Sequence, residues 1–272
     1  MMSNLAVSTQ LFGMQEIGES HLALIRESGF RVVEVFAAPG HFEWEDAACV
    51  ARVAKALGSL DLSVCSLHAP WAPGQDIASL DAVRRETSLR SVERAVDALV
   101  TLGGKALVLH PGATPGPPEW LAKQLDYARA GIERVAGYCT AHGVRVALEN
   151  PPPYELAGDN QQMLALYRDF AAEPSVQACF DTGHANVSAD GIAFVRQVPK
   201  ELLLVHLSDN TGTADDHLPP EDGTINWQEF FAMLRAREFS GYLVLELTDL
   251  PDPARILADG WVFMNHIAGD MA

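Results

Sequence analysis

The chain alternates between two hydrophobic periods. Short aliphatic runs such as Val32-Val33-Glu34-Val35-Phe36 and Ala106-Leu107-Val108-Leu109 read as buried strands. Between them lie longer stretches with apolar residues three and four apart, as at Val50, Val53, Ala54 and Leu57. That is the period of an amphipathic helix. In order, the pattern predicts strands over 5–9, 32–36, 62–67, 106–109, 144–148, 176–180, 202–205 and 242–245. It predicts helices over 16–28, 43–57, 79–102, 118–142, 160–171, 191–198, 227–237 and 253–267. Gly29, Gly58, Gly103 and Gly143 stand at helix ends, and Pro118 at a helix start.

Strands that alternate with helices imply a parallel sheet. Eight such units, with no linker between them, close naturally into a single (β/α)8 TIM barrel domain over residues 1–272. An open doubly wound sheet would carry a Gly-rich phosphate turn after its first strand. Ser8-Thr9-Gln10-Leu11-Phe12-Gly13 does not supply one.

The strand ends carry the chemistry. The third to eighth strands run into His68, His110, Glu149, Asp181, His206 and Glu246. In a parallel barrel all strand C-termini open on one face, so these six side chains gather in one bowl. His184 lies just past the sixth strand, and the long loop 208–226 adds Asp215 and His217 at i and i+2. In extended backbone such a pair shares a face and suits chelation of one ion. Singly, each residue has an ordinary structural reading: Asp181 as a helix cap, His184 as a loop residue, Asp215 as a solvated acid. Nine together at one end of a barrel point to a divalent cation of intermediate hardness, Zn, Mn, Co or Mg. Trp71, Phe36 and Trp227 are candidate pocket walls, and Glu34, inside the second strand, projects toward the site or forms a structural pair.

The net charge of -17 argues against a sequence-independent grip on nucleic acid. Four cysteines without a C-x-x-C pair read as buried free thiols in a reducing compartment. The N-terminus lacks a basic segment followed by an apolar one, and no apolar run reaches membrane-spanning length. A cytoplasmic enzyme is the expectation, with self-association left open.

His68-Ala69-Pro70, Leu109-His110-Pro111-Gly112, Leu148-Glu149-Asn150, Asp181-Thr182-Gly183-His184, His206-Leu207-Ser208-Asp209-Asn210, Asp215-x-His217-x-Pro219 and Glu246 together resemble the xylose isomerase-like TIM barrel superfamily. This group includes sugar phosphate isomerases/epimerases and the abasic-site nuclease endonuclease IV. The resemblance covers nearly the whole chain and implies one of two activities. In the epimerase pattern one metal falls on Glu149, Asp181, His206 and Glu246, the two glutamates exchange protons with substrate through a metal-stabilised enediolate, and His184 touches a substrate oxygen. In the endonuclease IV pattern three zinc ions fall on His68, His110 and Glu149; on Glu149, Asp181, His206 and Glu246; and on His184, Asp215 and His217. The resemblance makes Trp71, Asn150, Asp209 and Glu34 candidate substrate contacts. The chain departs from the pattern at Glu221-Asp222-Gly223, in place of Gly-Glu-Gly, and lacks an Arg shortly after His206. The leading expectation is a metal-dependent isomerase or epimerase of a small sugar or sugar phosphate. A polynuclear-zinc phosphoester hydrolase is the alternative.

Overall fold

The computed structural model describes residues 4–70, 72–248 and 251–270. Eight strands follow one another around a closed, wholly parallel barrel: β1 (Leu5–Ser8), β2 (Val32–Phe36), β3 (Ser63–His68), β4 (Ala106–Leu109), β5 (Arg145–Glu149), β6 (Val176–Asp181), β7 (Leu202–Leu207) and β8 (Tyr242–Leu245). The helices are α1 (Glu19–Ser28), α2 (Ala47–Ser59), α3 (Ala82–Thr101), α4 (Leu121–Ala141), α5 (Asn160–Asp169), α6 (Thr182–Asn186), α7 (Trp227–Ala236) and α8 (Pro253–Asp270). Among the described residues no helix is long and apolar enough to cross a membrane. All four cysteines are buried and free.

Helix starts follow side-chain caps more closely than apolar period. Asp46, Asp81, Asp159 and Asn226 accept from backbone N–H groups in the first turns of α2, α3, α5 and α7. A capping residue sits outside the helix, with extended backbone. This is why α2 and α3 begin after residues 43 and 79, where apolar spacing alone would start them. Two segments differ in kind. The helix expected over 191–198 is a 3-10 helix, Gly191–Gln197. The short helix α6 carries no apolar stripe in Thr-Gly-His-Ala-Asn, and only the reading of Asp181 as a helix cap pointed to it.

Alternation along each strand divides the core in two. Outward residues such as Val33, Leu67, Leu107, Leu148, Phe180 and Val205 join helix residues in one large cluster. A second cluster gathers Ala6, Val32, Ala106, Val108, Ala147, Cys179, Leu204 and Val244. Val108, Ala147, Cys179, Leu204 and Val244 each lie two positions before His110, Glu149, Asp181, His206 and Glu246, hence on the same, inward face. The barrel is therefore floored with small apolar side chains, and the next inward layer is polar.

Close backbone approach fixes one glycine before β8. A Cβ on Gly241 would strike the Leu203 carbonyl and come within 2.9 Å of the Leu202 carbonyl. Neither carbonyl belongs to a movable side chain. Gly241→Ala is expected to destabilise the fold by roughly 1–3 kcal/mol, the usual range for overpacking. Thermal unfolding monitored by circular dichroism checks this, and an unchanged Tm would contradict the close approach.

Candidate metal centre

β5 ends in Glu149, which is fully buried. Its Oε2 lies 3.5 Å from His68 Nε2 and 3.2 Å from His110 Nε2. Its Oε1 lies 3.0 Å from His206 Nδ1 and 3.7 Å from His184 Nδ1. On the β7–β8 side, His206 Nδ1 is 3.1 Å from Glu246 Oε2 and 3.9 Å from Asp181 Oδ2. Beyond α6, Asp215 Oδ2 stands 3.1 Å from both His184 Nε2 and His217 Nε2.

The His and carboxylate donors thus fall into three overlapping or adjacent groups, His68, His110 and Glu149; Glu149, Asp181, His206 and Glu246; His184, Asp215 and His217, and Cys179 approaches Glu149 and His206 as well. Within each, the candidate ligand atoms lie within 4.8 Å of one another. Buried carboxylate oxygens are normally paired. Here Glu149 Oε2, Asp181 Oδ2 and Asp215 Oδ1 are buried without a hydrogen-bond donor. Imidazole and carboxylate are the donor set that suits a first-row divalent cation. The residues therefore fit such an ion in all three groups.

The histidine rings are held in defined orientations. Nδ1 faces the carbonyl oxygens of Ala69 in His68 (3.0 Å), Asn150 in His184 (2.9 Å) and Glu246 in His217 (3.1 Å). In these three the Nδ1–H donates, leaving Nε2 toward the carboxylates. His206 is reversed: Nε2 meets Glu34 Oε2 at 3.1 Å, and Nδ1 faces the ligand group. Such partners fix tautomer and ring orientation in metal sites.

Asp181 has two duties. Oδ1 accepts from His184 N at 2.6 Å and caps α6, while Oδ2 points into the four-residue group. The capping and ligating readings of this residue are therefore compatible. Asp215 and His217 converge, but not through extended backbone: His217 has φ 47°, in the left-handed region. Left-handed backbone at a non-glycine is strained and clusters at functional sites.

Three residues expected to meet substrate make hydrogen bonds within the protein. Asn150 Oδ1 accepts from Asp181 N at 2.8 Å and its amide donates to Asp181 O at 3.0 Å, clamping β5 to β6. Asp209 accepts from Asn210 N, Ile225 N, Glu221 N and the Trp227 indole, so it organises the loop 210–226. Glu34 accepts from Ser66 Oγ at 2.7 Å and holds His206. Asn150 and Asp209 thus find their partners within the chain, whereas Glu34 uses only Oε2 in this way and its Oε1 is buried without a hydrogen-bond partner. Trp227 packs among Phe230, Phe231 and Phe263 and belongs to the core, whereas Phe36 lies edge-on to His68. Trp71 lies outside the described residues. Glu155, which sequence reading passed over, places Oε2 2.8 Å from His110 Nδ1. It follows three prolines in a loop and ends no apolar run, so no periodic signal marks it.

Burial disfavours every charge in this bowl, and opposite charges oppose it. For His110 burial alone would lower the pKa, but Glu155 and Glu149 hold it up at about 10. For His217 burial is likewise overcome, by Asp215, with a pKa of about 9. Burial raises Asp181 to about 7, with Glu246, Glu149 and Asp215 adding to the rise against His184. Glu149 is held well below the usual carboxylate range despite burial, through His206 and His110.

A model of this family describes residues 22–265 as a xylose isomerase-like TIM barrel. The chain belongs to the xylose isomerase-like TIM barrel family. Among its relatives are the uncharacterized protein MJ1311 of Methanocaldococcus jannaschii, 24% identical over 195 residues, covering 70% of this chain and 66% of that protein. The 3-dehydro-D-guloside 4-epimerase of Escherichia coli is 28% identical over 198 residues, covering 67% and 72%. The solved structure of a D-tagatose 3-epimerase-like protein superposes with a TM-score of 0.85 at 20% identity, covering 99% of this chain and 100% of that one. That similarity shows the fold.

Two predictions arise here. Asp209→Asn replaces an acceptor by a donor facing N–H groups; it is expected to cost about 1–3 kcal/mol and to loosen the loop carrying Asp215 and His217. Faster amide hydrogen exchange over 210–226 would show it, and unchanged exchange would refute it. The second concerns protons. With pKa values raised above 6.5, His110 and His217 carry protons on both nitrogens at pH 7, and a cation taking Nε2 displaces one from each. Binding of Zn2+ should release protons, and its affinity should rise with pH. Calorimetry in buffers of different ionisation enthalpy reads this, and a heat independent of buffer contradicts it.

Proposed function

We propose that the protein is a metal-dependent sugar epimerase or isomerase. The observation that carries this reading is the pair of buried carboxylates, Glu149 at the end of β5 and Glu246 just past β8, at 3.0 and 3.1 Å from the same atom, His206 Nδ1. Two bases on different strands around one centre suit removal of a proton from one face of a carbon and its return to the other. A divalent cation held by Glu149, Asp181, His206 and Glu246 would supply Lewis acidity beside the substrate carbonyl. In this scheme one glutamate takes the proton next to the carbonyl and the other returns it. His184, its Nδ1 pinned by the Asn150 carbonyl, presents Nε2 to a substrate oxygen or to a further ion. Glu34 keeps His206 oriented. Relatives and structural neighbours named as sugar epimerases support the same class.

Charge around the mouth supports a substrate without phosphate. The segments that follow the eight strands, 9–18, 37–46, 69–81, 110–120, 150–159, 182–190, 208–226 and 246–252, contain no Lys or Arg, and each contains at least one acid. A rim of one sign repels ligands of that sign. This favours a neutral sugar or glycoside over a sugar phosphate.

The second reading is phosphoester hydrolysis by two or three metal ions. The three adjacent donor groups favour it. The acidic rim opposes its duplex-DNA form, since binding that backbone requires neutralising phosphates.

Solvent exchange separates the two. Incubated with divalent metal in deuterated water, the enzyme is expected to place deuterium beside the carbonyl of a ketose or keto-glycoside. Phosphorylated counterparts should turn over with kcat/KM at least about tenfold lower. Glu246→Gln should abolish exchange. Absence of exchange across a broad panel of such sugars, together with cleavage of phosphodiesters, would establish the hydrolase instead.

A further inference from the structure

We infer that Glu155 is a positioning residue that acts through His110 and thereby builds the outer cation position formed by His68, His110 and Glu149. The inference rests on the metal-dependent reading above, though not on which reaction is catalysed.

A neutral imidazole carries one N–H and one bare nitrogen, and only the bare nitrogen ligates. His68, His184 and His217 each secure the bare Nε2 by donating Nδ1–H to a main-chain carbonyl. His110 uses a side-chain carboxylate, Glu155 Oε2, at 2.8 Å. Its Nε2 is thereby aimed at Glu149 Oε2, 3.2 Å away. A carboxylate partner both orients the ring and makes it a more basic ligand.

The loop is built to deliver this contact. Glu155 N donates to Pro152 O and Gly158 N to Glu155 O, forming a tight turn after three prolines. Leu156 N donates to Ala113 O at 2.7 Å, tying this loop to the one that follows His110. The Leu156 side chain is buried against Ala78 and Ala128. A Cβ at Gly158 would strike the Pro152 carbonyl, so the turn tolerates only glycine there. The Glu155 side chain is 10% exposed, and among the described residues its ion pair is with His110. A buried carboxylate without a Lys or Arg partner needs such a reason to be retained.

The test compares wild type, Glu155→Ala, Glu155→Gln and His110→Ala, each stripped of metal, loaded with Zn2+, and measured for zinc per chain and for stepwise affinity. Wild type is expected to hold at least two equivalents. Glu155→Ala should weaken one of them about ten- to a hundredfold and leave the other unchanged. Glu155→Gln, whose amide oxygen can accept Nδ1–H, should recover most of that loss. In the His110→Ala background, Glu155→Ala should have no further effect. In the zinc-loaded protein, ring 15N shifts of His110 should keep the Nδ1–H form in wild type and Glu155→Gln and move away from it in Glu155→Ala only. Wild-type zinc content and affinity in Glu155→Ala, with only KM raised, would overturn the inference and make Glu155 a substrate contact. A wild type that binds no divalent cation at all would instead overturn the metal-dependent reading itself.

Discussion

The site depends on one buried charge. Glu149 lies at the end of β5 with no exposure, and its two oxygens face different donor groups. A carboxylate taken out of water costs several kcal/mol roughly unless something offsets it. Four imidazoles from β3, β4, α6 and β7 surround it within 3.7 Å. Parallel closure brings six strand ends to one rim, and the inward face of each strand decides which residue arrives there. Glu149 is therefore both the reason that the histidines are needed and the joint between the first two donor groups.

Much of this was legible from sequence because barrel strands are short, apolar and end abruptly. His68, His110, Glu149, Asp181, His206 and Glu246 each interrupt or terminate such a run, and period-2 alternation assigns them one face. Helix caps were less legible, since an acid before an apolar stripe is read as helix until a hydrogen bond places it outside. What sequence could not separate is a polar group that meets a ligand from one satisfied by the chain. Asn150 and Asp209 lie among the candidate ligands, but their partners are Asp181 and the loop 210–226; Glu34 holds His206 and Ser66 with one oxygen and leaves the other unpartnered. Glu155 was hidden for the converse reason. Its position depends on how two loops dock, through Leu156 and Ala113, which no local period encodes.

The floor of the barrel and its rim differ in what they do. Small apolar residues such as Ala106, Ala147 and Val244 fill the interior beneath the ligands, excluding water from below. Electrostatic interactions above that floor are therefore stronger than they would be in solvent. The rim, by contrast, carries acids and no Lys or Arg. A mouth of this sign attracts cations and repels anions, which is consistent with the proposed metal binding and unphosphorylated substrate.

The five histidines of the bowl divide by what holds their outer nitrogen. Three are held by main-chain carbonyls, and two, His110 and His206, by the carboxylates Glu155 and Glu34. A carboxylate partner makes the ring a stronger donor than a carbonyl does. Both of these rings lie against Glu149, at 3.2 and 3.0 Å, on its two different oxygens. Under the proposed metal binding, Glu149 divided between two cations would give less charge to each, and a more basic imidazole on either side would offset that loss. His68, His184 and His217, whose rings meet Glu149 at longer range or face Asp215 instead, have only carbonyl partners. The distribution of carboxylates behind the histidines thus follows the one carboxylate that two candidate donor groups have in common.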